Sequence, residues 1–368
     1  MYFDERPKSL RKDLYNMEEE LMQLRAALRR GDPLIIIYGS RRVGKTSLLQ
    51  TAARGVEHKI IFDLRTLGTG AYATKKDLIQ ILQRSINDFL SERKTVRSRI
   101  INALKHVQGV QAGKVGVTFG WGGNESLDIV DLFGKLDRWA LSNKTSITIA
   151  FDEAQELRKV AGVRIDKILA HIYDYCRNTS IVVTGSAMGL LHDFVGGEDP
   201  ESPLYGRSKT EIRLKPLDPE GAEDFLLRGF KQANKKPGDD LIHRAVEKLD
   251  GIIGWLTMFG ARCLKKGASI ASLDEVMEEG SKLARSEFRN FLKGREVARK
   301  RYEGIMNHLA KSPSTWSGIK GYLEAREGRS MNDRKVTELI SALARTGLVE
   351  RVDARYTISD PLLANSFK

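Results

Sequence analysis

"PLIIIYGSRRVGKTSLLQ", residues 33–50, decides how this chain is read. The run "LIIIY" is too short for a helix. It is uniformly apolar, as a strand buried on both faces of a parallel sheet must be. A glycine ends it, and a helix-like run follows Lys45. Between the two, "GSRRVGKT" (39–46) fits GxxxxGK[ST] at every position. The spacing has a physical cause. A loop that closes on phosphates must aim its backbone N–H groups inward. Gly39 and Gly44 permit the tight path and the close approach. Lys45 brings a point charge to the β and γ phosphates, and the Thr46 hydroxyl is a Mg2+ ligand. The helix that starts near Lys45 adds the positive end of its dipole. The expected nucleotide-binding residues are therefore Gly39, Ser40, Arg41, Arg42, Val43, Gly44, Lys45, Thr46 and Ser47. The motif does not require Arg41 and Arg42, and outward surface charge is the other reading of their side chains.

Four similar strands follow: "HKIIFDL" (58–64), "SITIAFD" (146–152), "SIVVTG" (180–185) and "KTEIRLK" (209–215). Helical patterns separate them, so the expected class is α/β, a parallel sheet with helices on both faces. Residues 9–30 read as an amphipathic helix, with Leu14, Leu21, Leu24 and Leu28 near helical spacing. The insertion "GVQAGKVGVTFGWGG" (109–123) alternates apolar positions among glycines and reads as a β-hairpin on the domain surface. As a second nucleotide loop it lacks the lysine-and-hydroxyl ending and the following helix. After "KPLDPEGAEDFLLRGF" the chain turns helical to about residue 300. The remainder reads helix, helix, helix and two short strands, the winged-helix pattern, with Asn332 or Asp333 capping the third helix. The expected organisation is an ATPase core over 1–216, a helical lid over 217–300 and a winged helix over 301–368.

With 368 residues the chain is long for one core, so several domains are expected. No apolar run approaches the ~20 residues needed to cross a bilayer. The start "MYFDERPKSLRK" has no apolar signal core, so the expected location is cytoplasmic, with no membrane partner. Cys176 and Cys263 read as buried apolar side chains. The formal net charge of +13 favours a polyanionic partner such as nucleic acid, with a solvated basic surface as the plainer reading.

A phosphate loop needs a second, acidic site. "ITIAFDEAQEL" (147–157) ends an apolar strand in Asp152 and Glu153. Asp152 is the expected Mg2+ ligand, directly or through water. Glu153 is the expected general base for the attacking water. Thr184 or Ser186 of "IVVTGS" lies beside the γ-phosphate if that strand neighbours the loop strand. Arg207 of "SPLYGRSKTEIRLKPL" (202–217) has two readings, a finger on the γ-phosphate or a structural ion pair.

Taken together, "GSRRVGKTSLL", "IAFDEAQ", "VVTGS" followed by a helix, "SPLYGR" with "LKPLD", and the terminal winged helix resemble the archaeal ATPase family, a P-loop group close to the STAND and AAA+ ATPases. The resemblance spans nearly the whole chain. It implies a five-stranded sheet with the loop strand between the last strand and the "VVTGS" strand. It implies a helical lid, ATP or ADP as ligand, and Arg207 as a candidate γ-phosphate contact, within the chain or across a subunit boundary. The family's opening segment lies near the base, and "FDERPKSLRKDLYNMEEEL" matches it. Two elements depart from the family pattern. Asn16, Met17 and Glu18 replace an acidic-Arg-Glu element, and Ile253 falls where STAND lids place a proline.

The expected function is a slow, Mg2+-dependent ATPase acting as a molecular switch, coupling nucleotide state to the winged helix. The alternative is a DNA-binding ATPase resembling the archaeal origin-recognition initiators. Its duplex contacts would come from Arg334, Lys335 and Arg345 on the third winged-helix helix. A protein partner for the winged helix and an oligomer are also compatible with the sequence.

Overall fold

The computed structural model describes residues 1–67, 72–122, 126–186, 189, 191 and 201–368. Among the described residues, five parallel strands form one sheet: β1 (Leu34–Tyr38), β2 (Lys59–Asp63), β5 (Ile147–Asp152), β6 (Thr179–Gly185) and β7 (Thr210–Arg213). Their order is β2-β5-β6-β1-β7. The loop strand β1 thus lies between the last strand and the "VVTGS" strand, as expected. The central strands are buried along their length because helices cover both faces. One face packs on α3 (Lys75–Glu92), α5 (Ile129–Ser142) and α6 (Ile165–Tyr175) through an apolar cluster that includes Leu82, Phe133 and Leu169. The other packs on α1 (Glu18–Arg30) and α2 (Lys45–Ala53) through Leu24, Leu48 and Ile37.

The first helix is shorter than its periodicity predicts. It begins at Glu18, and Asn16 before it takes the left-handed φ of 47°. Leu14 fits the helical spacing but lies outside the helix, buried in the same cluster as Leu21 and Leu24. The hairpin forms between β3 (Val110–Ala112) and β4 (Val117–Phe119), but it does not lie free on the surface. Val117 and Phe119 are buried in the main core. Asn87 and Gln83 of α3 bond its backbone, at 2.8 Å to the Val117 N–H and 2.7 Å to the Phe119 N–H. Gly123, at the end of this stretch, and the helix expected after Ser186 fall outside the described residues.

After the sheet come four helices, Pro219–Gln232, Asp239–Leu249, Ile253–Lys266 and Ile270–Leu292. Asp218 caps the first, with proline at its first position. The winged helix follows: Arg299–Leu309, Trp316–Glu327, Asp333–Arg345 with Asn332 as its cap, then β8 (Val349–Val352) and β9 (Arg355–Ile358), which pair antiparallel. A short helix, Pro361–Asn365, ends the chain. One apolar cluster runs from Phe3 through the four helices to Ile340, Leu343 and Leu363. No described helix is long and apolar enough to cross a membrane.

Candidate functional site

The site lies at the carboxyl ends of β1, β5 and β6. Two glycines shape its loop. A Cβ on Gly39 would meet the Leu214 carbonyl at 2.4 Å, because the chain leaving β7 passes against the loop. Gly44 has φ 98°, and a Cβ there would meet Met17 Cε at 2.6 Å. Val43 between them is buried in the core beneath. The Lys45 ammonium is buried and donates to the carbonyls of Gly39 (3.1 Å) and Ser40 (2.7 Å). Burial lowers its pKa from an ordinary 10.5 to about 8, against the opposing charge of Glu153. The Ser47 hydroxyl accepts from the Lys8 N–H at 3.0 Å, tying the N-terminal segment to the loop helix.

The acidic pair stands across from this loop. Thr46 donates to Asp152 Oδ2 at 2.9 Å, and Thr184 donates to Oδ1 at 2.5 Å. Burial raises the Asp152 carboxyl above its usual range, and those two hydroxyls only partly offset it. Glu153 sits in the left-handed region, φ 59°, an uncommon place for glutamate. Its N–H donates to Thr184 Oγ1 at 3.0 Å, and its carboxylate accepts from Ser186 at 2.7 Å and from Gln155. Burial pushes that carboxyl up. Lys45 and those two hydrogen bonds pull harder, leaving it below its ordinary value. Thr184 and Ser186 therefore hold the acidic pair in place. A hydroxyl beside a carboxylate, next to a buried ammonium on a glycine-shaped loop, is a set that fits Mg2+ and phosphates.

A cavity of about 380 Å³ opens from this edge. Its polar lining includes Lys45, Thr46, Arg65 and Glu153. Its apolar lining includes Met17, Phe225, Ile253 and Met258, and Asp4 to Lys8 of the N-terminal segment line it too. Met17 and Ile253, the two departures from the family pattern, meet over Gly44.

Arg41 and Arg42 do not point outward. Arg41 reaches Glu287 at 3.0 Å and Arg42 reaches the same carboxylate at 2.6 Å. Arg42 also lies 3.8 Å from Asp360 and stacks 4.0 Å above the Trp255 ring. The Trp255 indole N–H donates to both Asp360 oxygens at 3.1 Å. The Arg42 carbonyl accepts from the Gly254 N–H at 3.0 Å, with Arg42 itself at φ 62°. One loop residue thus touches the helix Ile253–Lys266, the helix Ile270–Leu292 and the cap of the last helix. Sequence reasoning missed Glu287, Asp360 and Trp255, because hundreds of residues separate them from the loop and no local pattern marks them.

Arg207 is elsewhere. It forks onto Asp174, at 3.0 and 2.6 Å, over the ring of Tyr173. It precedes β7, which runs parallel to β1 with Thr210 beside Ile35. The loop of residues 39–44 follows the other end of β1. Arg207 is therefore at the opposite edge of the sheet from the cavity of its own chain, and the ion-pair reading describes its contacts here.

The family model described as an ATPase domain predominantly from Archaea matches residues 14–259, and that of the MCM protein C-terminal winged helix-turn-helix domain matches 296–359. Among solved structures, the chain is similar to a Walker-type ATPase of Pyrococcus abyssi. The two are 32% identical with a TM-score of 0.83, over 100% of this chain and 99% of that one. The ORC2 protein of Aeropyrum pernix, solved in ADPNP and ADP complexes, shares the fold at 13% identity. Its TM-score is 0.56, over 99% of this chain and 94% of that one. No curated protein sequence matches the chain.

Proposed function

Since the chain belongs to the family of ATPase domains found predominantly in Archaea, we propose that it works as an ATP-driven molecular switch. In this reading the N–H groups of residues 39–44 and the Lys45 ammonium hold the β and γ phosphates. Thr46 and Asp152 hold Mg2+, which supplies charge neutralisation at those phosphates. The apolar lining of the cavity, Met17 and Ile253 included, takes the adenine. Water attacks the γ phosphorus, the bond to the bridging oxygen breaks, and Glu153 takes the proton. The products are ADP and inorganic phosphate, and slow turnover suits a device that must persist in each state. The working units are a core over 1–216, a lid over 217–300 and a winged helix over 301–368.

The observation that carries the switch reading is Arg42. It belongs to the phosphate loop, yet its side chain ends on Glu287 and beside Asp360. A loop that reshapes around phosphates moves that guanidinium. The second reading, a DNA-binding ATPase, draws on Arg334 and Lys335 at the start of the helix Asp333–Arg345 and on the net charge of +13. Against it, Glu338 lies 3.3 Å from both side chains.

The test is hydrogen exchange across residues 299–365 with ATP, with ADP and without nucleotide, in the wild type and in Glu287→Ala. Turnover is measured alongside, with and without duplex DNA. Nucleotide-dependent protection that Glu287→Ala abolishes is the expected result. Protection indifferent to nucleotide in the wild type would sink the switch, and turnover stimulated by DNA would favour the second reading.

A further inference from the structure

With Arg207 at the far edge of the sheet, the cavity of the chain itself is the place to look for a second cation beside Lys45 at the terminal phosphate. We propose that Arg65 is that contact. On entry of a nucleoside triphosphate its guanidinium leaves Asp63 and forks onto the γ-phosphate. The proposal rests on the ATPase reading and adds a residue to it.

Three features of the fold converge on Arg65. The first is register. In the β2–β5 ladder Asp63 stands beside Asp152. Arg65 lies two residues further along the chain, past the carboxyl edge of the sheet, beside the strand that delivers Glu153. The second is the cavity, which Arg65 lines together with Lys45, Thr46 and Glu153. The third is its present partner. Arg65 forks onto Asp63 at 2.8 and 2.6 Å, and both side chains are about half exposed (52% and 44%). An exposed ion pair of this kind contributes little and exchanges readily. The Asp63 carboxylate also accepts the Arg65 backbone N–H at 3.1 Å, so the turn after β2 keeps an anchor when the guanidinium departs. Asp63 above all, and after it the charges of Asp152 and Glu153, raise the pKa of the Arg65 guanidinium.

The other cations of the cavity are held elsewhere, come from the N-terminal segment, or already have a role at the phosphates. Arg42 is held by Glu287, Asp360 and the Trp255 ring. Arg6 makes an exposed fork of the same kind onto Asp4, at 3.0 and 2.8 Å, and Lys8 donates to the Asp4 carbonyl, but both belong to the N-terminal segment and not to the turn beside β5. Lys45, now bound to carbonyls of its own loop, is the cation already assigned to the β and γ phosphates. Arg65 is a planar fork in a geometry suited to phosphate oxygens, on the side of the cavity where Glu153 would activate water.

The experiment is calorimetric titration of the full chain, with Mg2+, by ADP and by a non-hydrolysable ATP analogue. Wild type, Arg65→Ala, Arg65→Lys and Asp63→Asn are compared. Loss of one charge-assisted fork should weaken the analogue about tenfold or more in Arg65→Ala while ADP stays within about twofold. Arg65→Lys should recover part of the loss. Asp63→Asn, which frees the guanidinium, should tighten the analogue and leave ADP unchanged. Retained ADP binding shows that each variant is folded. Equal losses for both nucleotides, or no loss for the analogue, overturn the proposal while the wild type still binds. A wild type that binds neither nucleotide overturns the ATPase reading itself, and this contact with it.

Discussion

The nucleotide-free site carries a buried ammonium whose pKa is about 8, and this predicts how its affinity follows pH. Lys45 is 5% exposed and, among the described residues, donates to two carbonyls. The charges facing it are Glu153, Asp152, Arg41 and Arg42. A bound polyphosphate restores a strong anion beside the ammonium and keeps it protonated. Nucleotide must therefore bind the protonated form or take up a proton. Between pH 7 and pH 9 the protonated fraction of a group titrating near 8 falls about tenfold, so the Kd for Mg-ATP should rise about tenfold. The assay is isothermal calorimetry at saturating Mg2+ in buffers of different ionisation enthalpy. Proton uptake on binding should be largest above pH 8. Lys45→Met should bind weakly and without this slope. Stability of the free protein should move the opposite way. The folded chain releases the Lys45 proton near pH 8 and the unfolded chain keeps it to about 10.5, so the unfolded state binds more protons in that window. Stability from this group therefore rises with pH from about 8 to 10.5, by up to about 3 kcal/mol. A wild-type Kd that is flat between pH 7 and 9, or an equal slope in Lys45→Met, would refute the reasoning.

Two further outcomes are expected. Glu153→Gln keeps the hydrogen bonds at Ser186 and the Glu153 N–H but removes the base, so ATP binding should persist while turnover falls about 100-fold or more, read as phosphate release. Gly254→Ala places a methyl 2.6 Å from Arg42 Cβ and 3.1 Å from its carbonyl, so it should lower stability by about 1–3 kcal/mol in denaturant unfolding; an unchanged midpoint would show that this contact yields freely.

The parts of the fold that local chemistry dictates were open to reading. Mostly apolar runs marked the central strands β1, β5 and β6, because burial on both faces leaves little room for polar side chains, while the edge strands β2 and β7 keep polar residues among the apolar ones. The motif spacing located the loop, because few backbones can wrap a phosphate. What resisted was whatever depends on a distant partner. Period-two apolar residues revealed the hairpin but not that Val117 and Phe119 are buried, since Asn87 and Gln83 do the sheltering from another helix. Leu14 kept helical spacing while the left-handed Asn16 ended the helix, a break that no glycine or proline announced. Arg41 and Arg42 looked like surface charge because their acidic partner lies some 245 residues on. Arg65 did carry a signal. "DLR" directly follows a strand of the same apolar type as the one that ends in Asp152 and Glu153, and the two strands proved to be neighbours.

Where the proposed switch would bend follows from how the apolar clusters divide. The lid helices and the winged helix share one cluster, sealed where Leu362 fills the space at Gly280 and packs by Trp255. The sheet keeps two clusters of its own. Separating winged helix from lid would expose large apolar side chains at roughly 1.5–3 kcal/mol each. The N-terminal segment packs on the lid through Phe3 and Tyr15, but the phosphate loop itself meets the lid mainly through the polar contacts of Arg42. A charge-assisted bond to Glu287, a cation–π contact and one backbone hydrogen bond together hold on the order of 3–6 kcal/mol. Driving a two-state equilibrium from 1:99 to 99:1 takes about 5.5 kcal/mol. The polar seam is thus of the size that a nucleotide's differential binding can make or break, and the apolar seam is not. Lid and winged helix should therefore move as one body against the loop, with Arg42 and Glu287 at the parting line. Exchange protection between the lid and the winged helix should accordingly survive in Glu287→Ala, while the nucleotide dependence of both is lost together.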